Sequence, residues 1–129
     1  MKTILLIILF VSTVHSSWGQ KVYTSPFSVH QTTQIVERIP RTITITDSQI
    51  TIESIINKRM TDIQIMIIQT KEVSYENNIK SDVYQCTSPD GMYPSTVIIE
   101  ENPGHITVLQ PSLNEGQMEE YRLMLEIYN

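Results

Sequence analysis

Thr42-Ile-Thr-Ile-Thr46, followed by Asp47-Ser48-Gln49 and then Ile50-Thr-Ile52, leaves this chain few choices. A period of two places alternate side chains on opposite faces of an extended strand. Closing the chain over Asp47-Ser48 pairs Thr46 with Gln49, Ile45 with Ile50, Thr44 with Thr51 and Ile43 with Ile52. Isoleucine then meets isoleucine on one face and threonine meets threonine on the other. A slip of one residue would set every isoleucine against a threonine, which a buried face does not tolerate. Branching at Cβ also suits both residue types to a pleated sheet. Asp tolerates the left-handed geometry of a tight turn. A β-hairpin is therefore predicted over 42–52, with its second strand running on toward Ile56.

Composition extends the argument to the whole chain. There is no alanine, the best helix former, and isoleucine and threonine abound. Val22 to Val29 reads as a first strand broken at Pro26, which confines it to an edge or a bulge. Gln31–Gln34 reads as a loop, and Ile35–Ile39 as a short strand or a turn of helix ended by Pro40. After the polar turn Asn57-Lys58-Arg59, Ile63, Ile65 and Ile67 share one face of a strand, while Met66 and Ile68 make its other face apolar too. Two apolar faces imply a strand covered on both sides, or one facing a core and a partner. That strand continues through Val73 and Tyr75 to a turn at Glu76-Asn77-Asn78.

Ile79–Thr87 follows as a strand, then the turn Ser88-Pro89-Asp90-Gly91, where proline presets φ and glycine supplies a positive φ. Thr96–Glu101 and His105–Leu109 are strands around Asn102-Pro103-Gly104, and Pro111 and Gly116 bracket a loop. Met118–Tyr128 alternates as a strand through Tyr121, Leu123, Leu125 and Ile127, although a helical stripe through Met118, Tyr121, Leu125 and Tyr128 also fits. Strand is favoured. The expected fold is all-β: an antiparallel meander of seven or eight strands forming a small barrel or a sandwich.

Met1-Lys2 precedes eight apolar residues, Ile4 to Val11, and a small, polar stretch with Ser17 and Gly19. That is the layout of a secretory signal peptide over 1–19; a membrane span needs about 20 apolar residues. Residues 20–129 then form a single β domain, exported to the periplasm or secreted. Lys2 is the one basic residue of the leader, so the remainder sets 8 basic against 14 acidic residues, a formal −6. Such a surface disfavours nucleic acid and anionic membrane as partners. Cys86 is the single cysteine, which rules out an internal disulfide. With no Asn-x-Ser/Thr acceptor, a bacterial exported protein is favoured over a eukaryotic one.

Catalytic and metal-binding motifs do not assemble. His30 and His105 lack ligand-type neighbours at metal spacing and read as surface histidines at a loop and a strand start. Cys86 and His105 could form a nucleophile–base pair, but nothing basic flanks Cys86, and a buried structural thiol is preferred. Glu100-Glu101 and Glu115, Glu119 and Glu120 lack the glycine-turn spacing of a calcium loop and read as solvated acidic faces. Tyr75, Tyr84, Tyr93, Tyr121 and Tyr128, with Met60, Met66, Met92, Met118 and Met124, could line a ligand pocket. Filling the core is the preferred role for them. No catalytic, cofactor or metal residue is assigned.

The leader ending Trp18-Gly19-Gln20-Lys21, together with the Ile-Thr-Ile-Thr-Asp…Ile-Thr-Ile hairpin, resembles small exported β-rich proteins of unknown function from Bacteroidota. The resemblance implies location and β architecture. Three functions remain in order of preference: a non-enzymatic exported module that binds or supports another macromolecule; a carrier of a small apolar ligand, lipocalin-like in role but without that family's Gly-x-Trp signature; and a hydrolase using a carboxylate pair.

Overall fold

A computed structural model of the chain describes residues 20–111 and 117–126. The predicted leader, the 112–116 part of the loop after Pro111, Glu115 and Tyr128 lie outside the described residues. The described residues form ten strands: β1 (Lys21–Ser25), β2 (Phe27–His30), β3 (Val36–Glu37), β4 (Arg41–Ile45), β5 (Gln49–Asn57), β6 (Met60–Glu76), β7 (Ile79–Thr87), β8 (Pro94–Glu100), β9 (His105–Pro111) and β10 (Met118–Met124). They make one antiparallel, barrel-like sheet in the order β1-β4-β5-β6-β7-β8-β9-β10-β2-β3.

The all-β expectation holds, with ten strands rather than seven or eight. Two prolines account for part of the difference. Pro26 lacks a backbone N–H and cannot continue a ladder, so the first extended segment divides into β1 and β2. The break over Arg38–Pro40 likewise separates β3 from β4. Although joined through Pro26 alone, β1 pairs with β4 while β2 pairs with β10 on the far side of the sheet. The sheet has to curl for one short segment to reach both. Beyond β10, the Glu126 N–H donates to the Thr24 carbonyl at 3.3 Å.

The hairpin predicted over 42–52 forms in the predicted register: Ile43 pairs with Ile52, Thr44 with Thr51 and Ile45 with Ile50. Thr46 N–H donates to the Gln49 carbonyl at 2.9 Å. All four isoleucines are buried. Ile43, Ile50, Met66, Val97 and Ile106, contributed by five strands, are the largest fully buried side chains, and Tyr23, Ile68 and Leu125 pack against that core. Asn77 and Asn78 both adopt positive φ (53° and 65°), the geometry of the tight hairpin turn that favours asparagine and glycine. Gly91 supplies the positive φ (79°) foreseen after Pro89. Of the last segment, Met118–Met124 is a strand, β10, as the alternation favoured; Leu125 and Glu126 lie beyond it, and Ile127 and Tyr128 are outside the described residues.

Candidate functional site

Registers carry the inward face of each strand past the apolar core and toward one end of the barrel. On β4, Ile43 and Ile45 are followed inward by Arg41; on β5, Ile50 and Ile52 by Ser54. Pairing of Ser54 with Asp62 and Ile52 with Gln64 places those polar residues on the same face of β6. Cys86 pairs with Ser95, Tyr121 with Val108 and His30, and Ser28 with Glu37. With Gln110, which follows Val108 inward on β9, eight of the ten strands turn polar side chains inward at this end, where the 31–35, 58–59 and 88–93 connections lie. The apolar core lies between this polar end and a second set of charged side chains, Lys21, Lys71 and Asp82, on the same face at the opposite end.

Arg41 organises the polar end. Its side chain is only 12% exposed. Nη1 donates to Ser28 Oγ at 3.0 Å and Nε to Ser54 Oγ at 3.2 Å, while Nη2 pairs with the Glu37 carboxylate. A guanidinium offers five N–H donors, so two are left beyond these three bonds. Ser28 and Ser54 are themselves buried, and the arginine satisfies hydroxyls that would otherwise be costly to bury. Beside it, Tyr121 donates to Glu119 Oε2 at 2.5 Å. The His30 ring meets the Tyr121 ring edge-on with centroids 4.9 Å apart, and His30 Nδ1 accepts the Thr33 N–H at 3.2 Å. Burial first, then the hydrogen bond and charge of Glu119 and the charge of Glu37, push the Tyr121 hydroxyl up to about 12, against an opposing pull from Arg41.

Two adjoining clefts lie at this mouth, beside a third of about 230 Å³ lined by Ser28, His30 and Tyr121 among others. The larger, of about 470 Å³, is lined by Ile63, Ile65, Tyr93, Pro94, Ser95 and Gln110 among others. The smaller, of about 210 Å³, is bordered by Arg41, Ser54, Asp62 and Tyr121 among others. Gln64 and Gln110 line both, and Gln64 Nε2 donates to Gln110 Oε1 at 3.1 Å. Because β6 and β9 are not neighbours in the sheet, this bond crosses the opening. Small-molecule sites commonly occupy about 300–1,000 Å³, which the larger cleft reaches and the smaller does not. Ser95, 6% exposed, lines the larger cleft, and its Oγ has no hydrogen-bond partner among the described residues. An unsatisfied buried hydroxyl costs about 1–3 kcal/mol.

Of the residues singled out in the sequence, His30, Glu119 and Tyr121 lie at this mouth and Met66 and Tyr93 line its larger cleft; the others fall elsewhere. His30 is half-buried and turned inward rather than a surface histidine. His105 opens β9 as expected. Cys86 on β7 and His105 on β9 are separated by β8 and are not brought together. The Cys86 thiol is buried, and burial pushes it up to about 11, which removes thiolate character. Tyr84 and Met66 fill the core as expected, but Tyr75, Tyr93, Met60, Met92 and Met118 are exposed. Met60, Tyr75 and Met118 lie on strand ends, where alternation continues after the wall of the barrel has ended, and Met92 and Tyr93 lie in the 88–93 connection. Among the described residues, no group of three or more His, Cys, Asp or Glu could hold a metal ion.

Sequence reasoning missed Arg41, Ser54, Asp62, Gln64 and Gln110. The signal was available at Arg41 and Ser54, since each continues an isoleucine alternation by one more step of two.

A second feature lies outside the wall. Ile63 pairs with Glu53, Ile65 with Thr51 and Ile55 with Thr61, all on the face away from the core. Ile63 is 57% exposed, Ile55 48% and Ile65 38%. Of the two readings of the doubly apolar strand, cover on both sides fails and the uncovered outer face remains. Charged side chains of the same outward parity on β5 and β6 are Glu53, Glu72 and Glu76, all carboxylates.

Comparison with protein families, with curated proteins and with solved structures gives no match.

Proposed function

We propose that this protein is an exported, non-enzymatic binding module that docks another protein on the outer face of the β5–β6 hairpin. The exposure of Ile55, Ile63 and Ile65 on one continuous face carries the reading, because contiguous apolar patches on soluble domains mark interaction sites. On the strands themselves the charged side chains of that face are carboxylates, Glu53 first, while Lys58 and Arg59 stand in the turn at the hairpin's end, so the fitting occupant is an extended apolar segment flanked by lysine or arginine that lies along the strands. Electrostatic complementarity of this kind sets partner choice and association rate. Export rests on the cationic head, apolar run and small-residue end of 1–19.

The packed interior weighs against a carrier of an apolar ligand, since five fully buried side chains from five strands already occupy it. The acidic patch likewise speaks against nucleic acid as the partner.

The test is an array of short peptides alternating isoleucine or valine with polar residues, flanked by lysine or arginine, with glutamate-flanked peptides as controls. Basic-flanked peptides are expected to bind, to weaken as salt rises, and to lose binding when Ile55 and Ile63 are both replaced by serine. Equal binding by the double variant, or by the acidic controls, sinks the reading. Self-association abolished by the same substitutions would instead assign the face to a second copy. N-terminal sequencing of protein from its own host should begin at Gln20.

A further inference from the structure

We propose that the polar mouth of the barrel is a binding site for a neutral saccharide. This inference stands apart from the docking residues Ile55 and Ile63 and rests on other residues that line the two clefts.

The chemistry of the mouth selects among ligand classes by what each would leave unsatisfied. An apolar ligand would strip water from Arg41 and Asp62 without replacing its hydrogen bonds, a heavy penalty for charged groups. An anion would find Arg41 already paired with Glu37 and would approach Asp62 and Glu119 as well, three carboxylates against one guanidinium. A metal ion lacks a donor cluster among the described residues.

A polyhydroxyl ligand meets none of these obstacles. Each hydroxyl both donates and accepts, and the mouth offers donors and acceptors interleaved. Arg41 retains two N–H donors. The Gln64 and Gln110 amides supply both kinds of group, and Asp62 accepts. Ser95 Oγ, buried in the wall of the larger cleft, has no partner among the described residues, and a buried polar atom in a native protein calls for one. The apolar faces of a sugar ring would lie against Tyr93 and Pro94, which line the same cleft. Mostly apolar walls with a few convergent polar groups are the usual make-up of small-molecule sites.

The Gln64–Gln110 bond divides this mouth, and its two side chains are the natural movable part. Both amides border both clefts. Their exchange of one mutual bond for bonds to ligand hydroxyls would join the clefts into a path reaching Arg41. An oligosaccharide rather than a single ring would fill that path.

Calorimetric titration of the purified protein with glucose, galactose, mannose, N-acetylglucosamine, cellotetraose and chitotetraose tests the proposal, with glucuronate as the anionic comparator. At least one neutral probe is expected to bind at millimolar concentration or below, a tetrasaccharide more tightly than its monomer. Gln110→Ala and Asp62→Asn alter exposed or half-buried side chains and should leave the unfolding midpoint unchanged while weakening that binding by about tenfold each, as lost polar contacts of this strength do. Ile55→Ser, on the outer face, should bind the sugar normally. Absence of binding by every neutral probe overturns the proposal. So does binding that both mouth variants retain, and so does glucuronate binding more tightly than any neutral probe.

Discussion

Arg41 Nη1 lies 3.0 Å from Ser28 Oγ, a bond between β4 and β2, which occupy distant places in the strand order. The same guanidinium holds Ser54 on β5. One side chain therefore ties three strands together where the apolar core gives way to the polar mouth.

Removing that side chain should be costly. Arg41→Met leaves the buried Ser28 and Ser54 hydroxyls without this partner, at about 1–3 kcal/mol each, while the mostly exposed Glu37 loses its ion pair at a cost of about 0–1 kcal/mol. Arg41→Lys should recover little of this, because an ammonium cannot reproduce the planar fork that reaches both serines. Urea unfolding followed by circular dichroism gives both values. A loss below about 1 kcal/mol for Arg41→Met would place that variant among ordinary surface substitutions and remove the tying role.

The inner and outer isoleucines should respond in opposite ways to truncation. Ile50 is fully buried, and Ile50→Ala is expected to destabilise the fold by about 2–5 kcal/mol through lost transfer energy and the cavity left behind. Ile63→Ser removes no core contact and should stay within about 0.5 kcal/mol of the parent. Paired denaturation curves for the two variants measure the contrast directly.

Ser95→Ala is expected to be neutral or stabilising by about 1 kcal/mol in the absence of ligand, since it deletes a buried hydroxyl that lacks a partner and leaves the Cβ packing in place. Differential scanning calorimetry at one pH is sufficient. A clear loss of stability would mean that the Oγ is satisfied in solution.

Stability should fall at alkaline pH. Burial, assisted by the charge of Asp82, pushes the Tyr84 hydroxyl up to about 12 from an ordinary value near 10. Burial also pushes the Cys86 thiol up to about 11 from 9.0. Between the ordinary and the raised value the unfolded chain has lost a proton that the folded chain retains, so rising pH favours unfolding. The contribution of each group is fully present below its unfolded value and is lost as pH climbs through its folded value. Each group adds a slope of at most about 1.4 kcal/mol per pH unit, from about pH 9 for Cys86 and about pH 10 for Tyr84. Tyr84→Phe should flatten the decline between pH 10 and 12. An unchanged profile in that variant would show that Tyr84 titrates alike in both states.

Much of the fold can be read locally. The pairing of Ile43 with Ile52 and Ile45 with Ile50 follows from alternation on either side of a two-residue turn, and Ile79–Thr87 is bounded by asparagines at one end and a proline turn at the other. The exposed side chains of Tyr75, Met118 and Met60 escaped the same reasoning. Alternation continues along a strand wherever hydrogen bonding continues, and it does not reveal where the wall of a barrel stops.

The amino-acid sequence by itself determined which residues are extended, where most of them turn, and which side chains share a face on either side of the register shift between Ile68 and Thr70, because those properties depend on neighbours a few positions away. Only the tertiary structure decided that Ser28, Arg41, Ser54, Gln64 and Gln110 converge on one opening. Their convergence depends on how far the sheet curls and on β2 pairing with β10 across nearly the whole length of the chain. A period of two sets the face of each residue, but it carries no information about which strand lies across the interior from it.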